Sequence, residues 1–406
     1  MSEPTLAVHE LSFVAEGDDV VVGRLDTGSY AVFPADGAEL LKRLADGLPL
    51  REAAEWYEST FSEPVDVDDF VSTLRELGFV RENADDAPGG EQPAGPAQPP
   101  RFKGLGRAVF SPLAWAAYAG VVVAWLVVLA RHSDLVPTAS QFFFVKSLVI
   151  VQVVITFGQI PLILLHEGFH ILAGRRLGLP SRLRLSNRLT YIVAETQING
   201  LMSVERRKRY LPFLSGMVCD LVVLGVLGLI AQAARNSDGG FSLTSKVCLA
   251  FGFTVTLRFL WQFQLYLRTD LFYVVATALK TYDLHDASKA ILKNRIWRLL
   301  RLRHRIVDEE QWTERDRKVG VYYGPFLILG VCTFIALTVF ASIPVSVRYF
   351  TIAAEAIGSG DIDAHFWDSV VSLCFNVAQV VTLVILSRGK RKERSRFVPR
   401  LSGSEG

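Results

Sequence analysis

Residues Tyr118 to Ala130 read YAGVVVAWLVVLA. A helix through this stretch has no polar face to turn toward water, so its natural surroundings are hydrocarbon. Working outward, the stretch is the middle of an apolar segment from about 112 to 131. Five more of similar length follow, at about 142–165, 210–233, 245–267, 320–343 and 364–387. About 20 residues of helix cross the hydrocarbon core of a bilayer, and each segment is close to that length. The pattern predicts a polytopic α-helical membrane protein of about six transmembrane helices. Half of the residues are hydrophobic, which is high for a soluble chain of this size. A formal charge of +2 over 406 residues gives no global attraction to nucleic acid.

The distribution of Lys and Arg predicts the orientation, because cytoplasmic loops collect them. Arg101, Lys103 and Arg107 precede the first span. Arg175, Arg176, Arg182, Arg184, Arg188 and the run Arg206 to Arg209 lie between the second and third. Lys280 to Lys318 is basic between the fourth and fifth, and so is the tail from Arg388 to Arg400. The alternate loops, near Ser133, Ser237 and Ser359, carry few positive charges. A multi-pass protein of the cell membrane with both termini in the cytoplasm satisfies every loop. Met1 to Glu10 is polar and acidic, so internal helices rather than a cleavable signal peptide are expected to direct insertion. In Lys289 to Arg305 the charges alternate with Ile291, Ile296, Trp297, Leu299, Leu300 and Leu302, as in a helix lying on an anionic leaflet. The four cysteines, Cys219, Cys248, Cys332 and Cys374, sit in apolar runs without a C-x-x-C pair and read as buried apolar residues.

Residues 1–82 read as a small α+β unit. Val20 to Val22 and Tyr30 to Phe33 suit strands around the turn Asp26-Thr27-Gly28-Ser29. Three amphipathic helices follow, marked by Ala38, Leu41, Leu44 and Leu48, by Ala53, Ala54, Trp56 and Tyr57, and by Phe70, Leu74 and Leu77, with Gly78 as a stop. Residues 83–105, rich in Pro and Gly, read as a flexible linker. A membrane core is expected at 106–280, a basic amphipathic segment at 281–319, two further membrane helices at 320–388 and a basic tail at 389–406.

Chemistry concentrates in LLHEGFHILAGRRLG, Leu164 to Gly178. On a helix His166 and His170 are four residues apart and project from one face, where they can share a metal ion. Imidazole suits Zn2+, and a catalytic zinc keeps a position open for water. Glu167 is placed to take a proton from that water as it attacks a carbonyl. The competing reading is a polar helix end whose histidines do nothing. Asp270, in QLYLRTDLFYV, should lie at the same membrane depth and is the chosen third ligand, although a helix N-cap is the other common task of such an Asp. Glu195 is its competitor. Asp220, within the third span, would line the cleft, position water or pair with Arg258.

HEGFHILAGRRLG resembles the site-2 protease type of intramembrane zinc metalloprotease, over roughly residues 110–280. In that family a later membrane helix supplies an Asp ligand, usually as Leu-Asp-Gly; Asp270 matches the Asp, with Thr269 and Leu271 at its flanks and no preceding Asn-Pro. RRKRYLPFLSG, Arg206 to Gly216, is similar to the basic stretch followed by small residues found before the next span in the family. VVGRLDTGSYAVFP followed by three helices ending in LRELGFV is similar to PqqD-like domains, the leader-peptide recognition elements of ribosomally made, modified peptides. Such modules add a peptide as a strand to a hairpin edge. The combination resembles the membrane proteases of peptide natural-product clusters, daptides among them. It implies a zinc metalloendopeptidase that removes the leader of a modified precursor, with peptide substrate and lipid bilayer as partners and no nucleic acid. The alternatives are a leader-binding or export component without proteolysis, and intramembrane proteolysis of a signalling protein.

Overall fold

The computed structural model of the chain describes residues 5–17, 19–24, 29–81, 101–188, 191–281, 284–309, 312, 314–358 and 362–396, without the side chains of 185–195, 380 and 383–396. It is mostly helical and divides into two compact units.

The first unit comprises 1–109, 171–182 and 197–212. Strands β1 (Leu11–Glu16), β2 (Asp19–Arg24) and β3 (Ser29–Pro34) form an antiparallel sheet in that order. Helices α1 (Ala35–Ala45), α2 (Leu50–Phe61) and α3 (Val67–Glu76) follow. Val22, Phe33, Leu41, Leu74 and Phe79 close one core, and Leu40, Leu44, Ala53 and Tyr57 close a second around α1 and α2. The expected strands and helices are present, and Gly78, at φ +70°, ends the third helix in a conformation that costs glycine little. β1 is an addition to the reading above: LSFVAE has no clean alternation to announce it. The expected hairpin turn at Asp26–Gly28 and most of the linker lie outside the described residues. The linker's last residues are helical, because α4 runs from Lys103 to Val109. In the same unit Ser12 Oγ lies 2.6 Å from Ser203 Oγ, and the buried Glu16 carboxylate pairs with Arg206 and, at 2.5 Å, with Arg209.

The second unit comprises 110–170, 183–196 and 213–406. Five helical segments of the described chain are long and apolar enough to cross a membrane. These are α5 (Pro112–Arg131), α6 (Leu148–Arg176), α7 (Arg206–Ala233), α8 (Leu243–Trp261), and the pair α11 (Glu314–Leu337) and α12 (Ile343–Gly358) joined by a π turn at Thr338–Ser342. α9 (Asp270–Leu279) is short and apolar, and α10 (Leu284–Leu299) precedes α11. The sixth expected span falls within α13 (Ala364–Arg396), most of whose second half lies outside the side-chain description.

Several boundaries differ from expectation. α6 begins six residues later and continues through Arg176, so His166 lies inside a helix rather than at its end. Strands β4 (Ser181–Arg188) and β5 (Tyr191–Ile198), which form a two-stranded sheet, occupy a stretch read above for its charge and for Glu195, with no strand expected. In α10 Ile291 is buried, its Cδ1 lying against Gly320 of α11, and only Ile296, Leu299 and Leu300 remain exposed for a surface. Cys219 and Cys248 are buried as expected, but Cys332 and Cys374 are exposed on outward faces of α11 and α13, since an apolar helix in lipid need not hide its apolar residues from its surroundings.

α13 is tied to α6 by polar groups. Asp368 accepts the Leu148 N–H at 2.6 Å and the Ser147 hydroxyl, capping α6; Ser372 donates to Gln152 at 2.8 Å; Gln379 reaches Thr156 at 3.5 Å. These residues, at 368, 372 and 379, share one face of α13.

Candidate metal centre

α6 presents His166 and His170 on one face, one turn apart, and both are buried. Their Nε2 atoms are 3.3 Å apart. Asp270, the first residue of α9, brings Oδ2 to 3.2 Å from His170 Nε2 and 3.5 Å from His166 Nε2. Three potential ligand atoms therefore bound one small triangle, and the group can hold a metal ion.

The other ring nitrogens explain why Nε2 faces inward. His166 Nδ1 lies 3.1 Å from Asp220 Oδ2, somewhat off the line of a well-formed hydrogen bond, and His170 Nδ1 lies 3.2 Å from Ser215 Oγ. With a proton on each Nδ1, both Nε2 atoms turn lone pairs toward the Asp270 carboxylate. Three acceptors converging without a hydrogen between them repel, and a cation at the centre relieves that repulsion.

Asp220, fully buried, is compensated in turn. Arg258 donates Nε at 3.1 to 3.2 Å to its two oxygens and Nη2 at 2.5 Å to Oδ1. α7 supplies Ser215, Gly216 and Asp220, and its glycine faces the triangle directly. A Cβ added at Gly216 would stand 2.3 Å from His170 Nε2 and 2.4 Å from His166 Nε2. That is the volume an ion and its remaining ligand need.

Glu167 follows His166 on α6 and is buried. Its Oε2 accepts the Thr196 hydroxyl at 2.7 Å, so β5 fixes the carboxylate. The turn before Asp270 is pinned by Gln262, whose Oε1 accepts the Asp270 N–H at 3.1 Å while its backbone carbonyl accepts the Thr269 hydroxyl at 2.6 Å. Asp270 is not the N-cap: Thr269 holds that position and the Asp270 carboxylate faces the histidines.

The structure thus brings His166, His170 and Asp270 together, with Glu167 next to His166 in the chain. Asp220 pairs with Arg258 and also backs His166. The side chain of Glu195, the competing ligand, lies outside the described residues. Ser215, Gly216, Thr196 and Gln262 were not singled out from sequence. Gly216 and Asp220 offer a signal, being four residues apart and on one helical face, but Gln262 and Thr196 offer none. Comparison with known proteins adds no relative: no family model, curated protein or solved structure matches the chain.

Proposed function

We propose that this protein is a multi-pass intramembrane zinc metalloprotease, with both termini in the cytoplasm, that removes the leader from a ribosomally made and modified precursor peptide. The observation that carries the reading is the triangle of His166 Nε2, His170 Nε2 and Asp270 Oδ2, with edges of 3.2 to 3.5 Å. Ligand atoms at tetrahedral zinc distances are about 3.3 to 3.4 Å apart, within the range of those edges. The donor set of two imidazoles and a carboxylate leaves a fourth position open, as hydrolytic zinc sites do.

Zinc held there supplies a Lewis acid that activates water and polarises the scissile carbonyl. Glu167 accepts the proton of the attacking water and returns it to the departing amine. Thr196 keeps the Glu167 carboxylate in one orientation through both transfers. Asp220 and Ser215 hold the two imidazoles with Nε2 inward, and Gly216 leaves the space in which water and substrate meet. In the small unit β3 lies at one edge of the sheet, where a leader could add as a further strand. A leader held there raises the concentration of the attached cleavage site near the membrane site.

The test is the zinc content of the detergent-purified chain beside cleavage of a leader-bearing precursor. One zinc per chain is expected in wild type and in Glu167→Gln, with cleavage lost in the latter, and little zinc in Asp270→Ala. Turnover by Glu167→Gln would remove the base assignment. Full zinc in Asp270→Ala would move the third ligand to Glu195, and no zinc in any of them would favour a leader-binding protein without proteolysis.

A further inference from the structure

On α7 the residues Phe213, Gly216 and Asp220 follow one another at intervals of three and four and so share a face. Asp220 lies behind His166 and is matched by Arg258, which donates to it at 2.5 Å, so a buried ion pair closes the metal centre in that direction along the helix. Gly216 faces both Nε2 atoms. Phe213 comes next, one turn nearer the basic residues Arg206 to Arg209 that open α7. α9 is built in the same order: its first residue, Asp270, completes the triangle, and Tyr273 stands one turn further on.

The two rings meet. Phe213 and Tyr273 are stacked, with centroids 5.3 Å apart and planes inclined by 15°, the offset arrangement that aromatic pairs favour. α7 and α9 therefore face each other in two layers, with the metal triangle beside one and the ring pair in the next. Tyr273 also stands edge-on to Phe272 at 5.3 Å, and Phe272 is buried with Ala276, Leu284, Tyr323 and Leu327, which gives the pair a firm backing. Both rings are nevertheless only half-buried, so part of their surface is left for contact. The mechanism proposed above leaves them unused.

One helical turn is a rise of about 5 Å, and an extended peptide advances about 3.3 Å per residue. A peptide with its carbonyl at the metal, lying on the side that Asp220 and Arg258 leave open, brings a side chain one or two residues away against these rings. An acidic side chain would lose water there and gain no partner from a ring face. We infer that Phe213 and Tyr273 are specificity-determining residues, and that the ring pair takes a large apolar side chain, aliphatic or aromatic, beside the scissile bond. The inference rests on the proteolytic reading and narrows its substrate class.

The experiment digests a pool of synthetic peptides containing every residue pair with the detergent-purified full-length chain, and reads the cut sites by mass spectrometry. It compares wild type, F213A and Y273A, with the zinc content of each. Wild type should cut beside Leu, Met, Phe, Tyr or Trp, at one fixed position relative to the bond, about tenfold more often than beside Ala. Both variants should keep one zinc per chain, continue to cut, and lose that preference. A preference unchanged in both variants, activity lost toward every residue alike, or a wild type without preference would overturn the inference and leave the protease standing. Zinc-loaded wild type that cuts no peptide in the pool would remove the proteolytic reading, and this inference with it. If an alanine variant loses zinc or does not fold, F213L and Y273L replace the pair and should move the preference from aromatic toward aliphatic residues; no movement would count against the site.

Discussion

A methyl group at position 216 would lie within 2.4 Å of both His166 Nε2 and His170 Nε2, closer than any carbon approaches a nitrogen without displacing it. Alanine is otherwise the more favourable residue in a helix, by about 1 kcal/mol. Displacing two buried imidazoles costs about 1–3 kcal/mol and offsets that gain, so Gly216→Ala should melt no higher than wild type and purify with little metal, as elemental analysis can check; a full zinc complement would show that the ion sits elsewhere. Asp220 acts at one remove. Replacing it with Asn keeps the shape but removes the counter-charge of Arg258 and leaves one acceptor oxygen for Arg258 and His166 to share. Metal affinity should fall about 10- to 100-fold, the usual cost of losing such a backing group, measured by competition with a zinc chelator. The grouping of His166, His170 and Asp270 was legible in the sequence because few residue types can ligate a metal ion. Gln262 was not, since it contributes by holding a turn, and Gly216, which contributes by lacking atoms, left only its spacing from Asp220 as a signal.

At the scale of elements, the two-stranded sheet β4–β5 had no clear announcement, because its alternation of Arg and Leu reads equally well as a charged cytoplasmic loop. Its importance is that Thr196 reaches Glu167. Thr196→Val, which keeps the shape and removes the hydroxyl, should leave zinc content unchanged and slow precursor cleavage about tenfold, with Thr196→Ser restoring it; loss of zinc in the Val variant would point to a ligand-shell role instead. The small α+β unit was better foreshadowed, since alternating apolar residues and Gly78 mark its strands and helices. Within it the Tyr57 hydroxyl of α2 donates to Asp36 at the start of α1. That bond holds the Asp36 carboxyl below its ordinary range, and the tyrosine is pushed up to about 12 in return. A depressed acid stabilises the folded state above the unfolded pKa and loses that contribution as pH falls through the folded one. Hydrogen exchange in α1 and α2 should accelerate as pH drops below about 4, after correction for intrinsic rates, and Tyr57→Phe should flatten the dependence. A variant as steep as wild type would dissociate the pair from the stability of these helices.

On the scale of the whole chain, residues far apart in sequence decide the arrangement within each unit, and these were beyond any local reading. Glu16 and Arg206 are 190 residues apart, and nothing in LSFVAE hints that its last residue meets the basic run that opens α7. Burying a carboxylate is costly unless it is matched, and removing one partner of such a cluster typically costs about 3–5 kcal/mol. Glu16→Gln should make Leu201–Arg209 exchange amide hydrogens faster and cut sooner in limited proteolysis, while α5 and α8 are unaffected. Unchanged protection there would mean that the pairing is incidental. The apolar spans, by contrast, were plain from composition, because lipid demands the same property on every side of a helix and so writes it into every residue.

α6 is one continuous helix from its cap at Asp368 to the histidine pair, with Pro161 inside it, and is fastened to α13 at Gln152 and Thr156 on the way. A rod held at one end has an azimuth as well as a position. Each residue advances a helix by about 100°, so a slip of one place at that seam would swing both imidazoles away from Asp270 and toward the hydrocarbon. The last of the described helices, which touches neither histidine, thereby sets the compass bearing of the histidine pair.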